Sequence, residues 1–204
     1  MYRYQILIEY VGTSFIGWQK QSKGRSIQKL IQTKLSTILK QKVKIYGSGR
    51  TDAGVHAIEQ SAHFDTNQEI ENLDKFLKSI NFFLNKKLIS IKKIKKRNFK
   101  FHARFSAKQR IYKYIIFNRS SEPSIERNRG WYIRKKLDLK EMKKGATILL
   151  GKNDYSTFRS SSCNAKSPIR SIEAIKINKK GDKIQIKYKC RSLLKKQGRK
   201  RDGY

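Results

Sequence analysis

Negative charge is scarce in this chain. Its 204 residues carry 15 Asp and Glu against 49 Lys and Arg, a formal net charge of +34 at pH 7. Such a balance disfavours cationic partners and concentrates polyanions, nucleic acid above all, around the protein. Lys, Ile, Asn, Phe and Tyr are all abundant, as an AT-rich coding bias produces by itself, so the charge does not count phosphate contacts. Cysteine is nearly absent. Cys163 and Cys190 are too few for a disulfide framework and have no metal-ligand spacing. His56, His63 and His102 are scattered, so no metal is expected. No apolar run approaches the roughly 20 residues of a membrane span, and Met1 to Ile8 alternates like a strand rather than a signal peptide. These absences predict a soluble, cytoplasmic protein with no membrane association. Hydrophobic residues make up 37%, with ten Phe, ten Tyr and two Trp, enough for a core and against general disorder.

The patterning predicts a mixed fold. Residues 2–10 alternate as a strand. A helix fits 26–40, with Ser26 as its cap and Ile27, Leu30, Ile31, Leu35, Ile38 and Leu39 on one face. Strands follow at 43–46, 58–65 and 88–94, with a second helix over 71–84. The order β-α-β-β-α-β is the split βαβ arrangement of ferredoxin-like domains. The second half reads as a looser copy: a strand at 106–118, a helix opened by Asp138 with Glu141 three residues on and ended at Gly151, then strands at 168–178 and 183–190. A final helix is expected to start within 192–200. The predicted class is α+β: two ferredoxin-like halves, 1–102 and 103–204, sharing a mainly antiparallel sheet with helices on one face and an active-site cleft between the halves.

Gly47-Ser48-Gly49-Arg50-Thr51-Asp52-Ala53-Gly54-Val55-His56-Ala57 is the most informative stretch. It sets one carboxylate, Asp52, on a glycine-punctuated loop two residues after an arginine. By spacing alone this is either a tight turn, with Asp52 bonding its own backbone, or a reactive loop. It is not a phosphate-binding P-loop, since no Gly-Lys-Ser/Thr follows, nor a dinucleotide fingerprint, since no Gly-x-Gly-x-x-Gly opens a helix.

The whole undecapeptide resembles the motif of the TruA-type tRNA pseudouridine synthases, Gly-Arg-Thr-Asp-Ala-Gly-Val-His, whose Asp is the catalytic carboxylate. Tyr10-Val11-Gly12-Thr13-Ser14-Phe15-Ile16-Gly17-Trp18-Gln19 is similar to a second family motif, with Val11 in place of the usual Asp. Phe101-His102-Ala103-Arg104-Phe105-Ser106-Ala107 and Arg110-Ile111-Tyr112-Lys113-Tyr114 resemble the segment that carries the family's active-site tyrosine, which falls on Tyr112. Asn153 to Arg159 and Ser167-Pro168-Ile169-Arg170 also fit, so the resemblance runs along nearly the whole chain. It aligns Arg199 with an arginine that faces the catalytic acid. There the pattern departs: Gly198, Arg201 and Asp202 stand where the family has apolar residues, and the C-terminal half is expected to be cut short at its end.

The resemblance implies isomerisation of uridine to pseudouridine in the anticodon stem-loop of tRNAs, with Asp52 catalytic and Arg50, Tyr112 and Arg199 substrate-binding. It also implies a homodimer that binds tRNA across both subunits. No organic cofactor is expected, because no redox or group transfer occurs. The target base must leave its stack, and Arg50 suits filling the vacated space or clamping a phosphate. Tyr112 suits stacking on the base, although Tyr114 shares its face and alternation does not rank the two. Lysine and arginine clusters at 92–97, 134–136 and 195–201 are either RNA contacts or solvated surface. A competing expectation is an inert, basic RNA-binding protein that keeps the fold.

Overall fold

The computed structural model describes residues 1–158 and 167–191. Backbone contacts divide the chain into two compact units, Met1–Ala107 and Lys108–Tyr204. The class is α+β with mainly antiparallel sheets. Among the described residues the strands are hydrogen-bonded in two sheets, one of four strands and one of five.

In the first unit the elements run β1 (Tyr2–Tyr10), α1 (Ile27–Ile38), β2 (Ile45–Gly47), β3 (Ala57–Thr66), α2 (Leu73–Leu84) and β4 (Ile89–Arg97). The sheet order is β2-β3-β1-β4 and every pairing is antiparallel, which is the split βαβ topology. Alternation along β1 turns Tyr4, Ile6, Ile8 and Tyr10 into the core. Two helices cover that face. The Ser26 hydroxyl accepts from the Lys29 amide at 3.4 Å and starts α1, whose Ile27, Ile31 and Leu35 are buried. Asn72 starts α2 in the same way, accepting from Lys75 N at 2.8 Å, and α2 buries Phe76, Ile80 and Leu84. Where β1 and β4 slip register between Leu7 and Ile8, the Asn81 side chain meets the main chain of Ile91 with two hydrogen bonds, 2.9 and 2.8 Å. The irregularity therefore leaves no unsatisfied backbone group at Ile91.

The second unit contains β5 (Arg110–Asn118), β6 (Trp131–Ile133), α3 (Leu139–Ile148), β7 (Gly151–Asp154), β8 (Ile169–Lys180) and β9 (Lys183–Cys190), with sheet order β6-β5-β9-β8-β7. Asp138 caps α3, accepting from the Lys140 and Glu141 amides. The β8–β9 turn is two residues long, and Gly181, at φ +60°, takes the left-handed position it demands. Ile116, Ile184, Ile186 and Tyr188 form one buried cluster, and Tyr155, Ile172 and Cys190 another. β6 and β7 have no counterpart in the predicted elements. They are three and four residues long and too short to show a period. The helix expected over 192–200 lies outside the described residues.

Away from its helices, the first sheet carries a polar and aromatic face. Arg3 donates two hydrogen bonds of 2.8 Å to the Asp65 carboxylate and two more to the carbonyls of Phe99 and Phe101, 2.9 and 2.8 Å. This pairing holds the Asp65 carboxyl below the usual range. His63, 1% exposed, accepts from the Ala103 amide at 3.2 Å. Burial, aided by Arg3 and His102 and opposed by Asp65 and a hydrogen bond with the Tyr46 backbone, pushes its pKa down to about 4. The unfolded chain then takes up the His63 proton first as pH falls from about 6.5. Stability should be full above that pH and fall by up to about 3 kcal/mol by pH 4. Denaturant midpoints measured at pH 7 and pH 4.5 check this, and His63→Gln should remove most of the difference.

Candidate active site

The segment 11–25, between β1 and α1, and the segment 48–56, between β2 and β3, are both loops by their own composition. The fold binds them into one body. The first is anchored to α1: the Ile27 and Gln28 amides, which have no partner inside the helix, donate to the Gly17 and Trp18 carbonyls at 3.2 and 3.0 Å. Gln28 also reaches both ways, accepting from Lys20 N at 2.9 Å and donating to the Ile45 carbonyl on β2 at 3.0 Å.

The second loop is then tied at four points, three to the first loop and one to the end of β1. Trp18 N donates to Thr51 O at 3.0 Å, and Gly54 N donates to Phe15 O at 3.3 Å. Gly12 N donates to His56 Nδ1 at 3.0 Å. The Tyr10 hydroxyl pairs with the Thr51 hydroxyl at 2.8 Å, and burial raises the Tyr10 pKa to about 12, partly offset by that hydrogen bond. Backbone meets backbone at the contact. A Cβ on Gly12 would lie 2.0 Å from the Val55 carbonyl oxygen, and one on Gly17, itself at φ +113°, 2.5 Å from that of Thr51. Only glycine permits that approach. The Trp18 indole lies on Gly47, with no room for a side chain between them.

Asp52 sits at the centre of this interlock, half-buried. Its carbonyl accepts from Val55 N at 3.2 Å, closing a turn with Gly54 at φ +77°. Among the described residues none forms an ion pair with its carboxylate. Arg50 is exposed, two residues before it on the same loop. Arg199 lies outside the described residues. Tyr112 belongs to the second unit, on β5 opposite Tyr188 of β9. It is half-buried against the Tyr155–Cys190 cluster and the isoleucine cluster beside it. Burial, aided by Cys190 and opposed by Arg110, raises its pKa above the usual phenol value. Tyr112 therefore presents a neutral hydroxyl at physiological pH. Tyr114 is edge-on to Tyr188 at 5.8 Å. The described residues contain no group of three or more His, Cys, Asp or Glu arranged to hold a metal ion, and none of their helices is long and apolar enough to cross a membrane.

Residues 6–106 and 146–201 match the family model described as tRNA pseudouridine synthase. The curated tRNA pseudouridine synthase A of Pelagibacter ubique (strain HTCC1062) is 66% identical over 199 residues, covering 98% of this chain and 81% of that relative. The tRNA pseudouridine synthase A of Neorickettsia sennetsu (strain ATCC VR-367 / Miyayama) is 39% identical over 197 residues, covering 97% and 81%. The chain belongs to the tRNA pseudouridine synthase family. It is by that membership an enzyme of the isomerase class. In this synthase the residues that the sequence did not single out are the fasteners: Tyr10, Thr51 and His56, together with Gly12 and Gly17. Their glycines were visible as a motif, but the pairing of the two loops was not.

The interlock makes a stability prediction. Gly12→Ala and Gly17→Ala must push the loops apart and should each cost about 1–3 kcal/mol or more. Gly54→Ala meets nothing within 4 Å and should cost only the strain of its positive φ, about 1 kcal/mol. Thermal midpoints of the three variants should rank in that order, with isomerase activity lost chiefly in the first two.

Proposed function

We propose that this enzyme isomerises uridine to pseudouridine in the anticodon stem-loop of tRNAs, with Asp52 as its catalytic carboxylate. The observation that carries this reading is the four-point interlock around Asp52. It holds a single half-buried acid on a backbone that cannot swing, in a chain of net charge +34. An acid on such a loop is a poor phosphate binder and a good partner for a developing cation.

The reaction breaks the N1–C1′ bond and forms a C5–C1′ bond; the C5 proton leaves and N1 gains one. As N1–C1′ opens, electron density moves onto the uracil and the ribose gains oxocarbenium character at C1′. A carboxylate held beside C1′ stabilises that charge, as in glycoside hydrolysis, and preorganisation means that little reorientation opposes it. The base must first leave the helical stack. Arg50, exposed and on the same loop, fits the space it leaves or a flanking phosphate. Tyr112, a phenol and so neutral at physiological pH, offers a ring to the uracil face and a hydroxyl donor. Arg199, which the resemblance aligns with an arginine of the family, joins the proposal as a substrate-binding residue. The substrate assignment to tRNA rests on the family and on the two relatives named tRNA pseudouridine synthase A.

Unmodified tRNA tritiated at C5 of uridine tests the reading. The wild-type protein should release tritium to water. Asp52→Asn should slow release by at least about a thousandfold while tRNA affinity stays within about tenfold. Equal release by both proteins, or none by either with intact tRNA binding, sinks the assignment; the second outcome is that of an inert RNA binder. A homodimer, with one tRNA lying across both subunits, completes the proposal. Sedimentation equilibrium should return twice the chain mass of 24.0 kDa.

A further inference from the structure

The polar face of the first sheet carries a run of ring contacts, one stacked, one edge-on and one tilted. Tyr46 of β2 lies on His63 at 5.1 Å, nearly parallel. His63 meets His102 at 4.6 Å, and His102 meets Phe105 at 4.5 Å. The inner ring, His63, is fully buried, but the outer two are not: Phe105 is 77% exposed and Tyr46 44%. A side chain present only to pack would be covered. An isolated exposed aromatic is ordinary; two exposed rings joined through a pair of touching imidazoles, Tyr46 on His63 and Phe105 on His102, are less so.

Cations border the rings. The Arg104 guanidinium lies over Phe105, 5.7 Å from its centroid. On the approach to β2, Val43 and Ile45 are buried while Lys44 and Tyr46 are exposed, so a lysine and a ring share the outward side. Flat rings interleaved with positive charge match single-stranded nucleic acid, whose bases stack and whose phosphates pair. β2 is also the strand that leads directly into the Asp52 loop.

We infer that Tyr46 and Phe105 form a stacking platform for an unpaired nucleotide of the RNA substrate, other than the one being isomerised, with Arg104 on its phosphate. This rests on the reading that the enzyme acts on tRNA. The platform's work is binding, so it is felt in affinity and not in the chemistry at Asp52.

The test uses the full chain and an unmodified tRNA transcript, with dissociation constants measured across a salt series. Phe105→Ala and Tyr46→Ala should each weaken binding about tenfold or more, with the salt slope unchanged. Phe105→Trp should stay within about twofold of wild type. Arg104→Gln should instead reduce the slope by about one phosphate. The thermal midpoint of Phe105→Ala should stay near wild type, because so exposed a ring contributes little burial; single-turnover release of tritium at saturating tRNA should persist. Affinity within twofold of wild type in both alanine variants overturns the platform, whether or not the enzyme is active. The same result with a halved molecular mass overturns it in favour of a second copy of this chain on the patch. Weakened binding in a protein that releases no tritium keeps the platform and sinks the catalytic reading. A wild-type protein that binds no tRNA sinks both.

Discussion

Two loops that would each be mobile alone are held by meeting backbone to backbone. The contact at Gly12 and Gly17 admits no side chain, and hydrogen bonds from Trp18 and Gly54 stitch the strands of main chain together. Asp52 lies between the stitched positions, its own carbonyl engaged by Val55. The carboxylate is thus carried on a segment whose position is set by β1 and α1, not by its own loop. Functional side chains are commonly placed on loops that a scaffold positions, and preorganised charge acts without the cost of reorganising during the reaction. The buried Tyr10 hydroxyl on Thr51 extends the same constraint down to the sheet core.

That core explains why the constraint holds. One face of the four-stranded sheet is mainly apolar, closed by Ile27, Ile31 and Leu35 of α1 and Phe76, Ile80 and Leu84 of α2. The opposite face is built from polar ties: Arg3 to Asp65 and to two carbonyls, His63 to Ala103. The first face supplies stability through burial. The second holds the segment from Phe99 to Phe105 against the sheet, and its outer rings are left to face solvent. There Phe105 is exposed, with the Arg104 guanidinium over its ring.

The second unit contributes a different chemical environment. Tyr112 packs against two small apolar clusters, and burial raises its pKa above the usual phenol value. Alternation put Tyr112 and Tyr114 on one face and could not separate them. Packing does: Tyr114 is engaged edge-on with Tyr188, while Tyr112 joins the cluster that includes Tyr155 and Cys190.

Much of the first unit was legible because its signals are local. The alternation of residues 2–10, the Ser26 cap and the apolar stripe of α1 are each written within a few residues, and the Asp138 cap of α3 likewise. β6 and β7 escaped because three or four residues carry no period. Strand partnership was less legible, because it depends on hydrogen bonds between segments far apart in the chain. The site divides in the same way. Chain order alone determined that Asp52 stands on a glycine-rich loop two residues after Arg50, and that the protein is a polycation with a core. Only tertiary structure decided that Gly12 and Gly17 abut that loop, that His56 accepts from Gly12, and that Tyr46, His63, His102 and Phe105 meet ring to ring. Gly12 meets His56 across 44 positions, and the other long-range contacts join residues about as distant; such contacts come from packing, which no short window of sequence encodes.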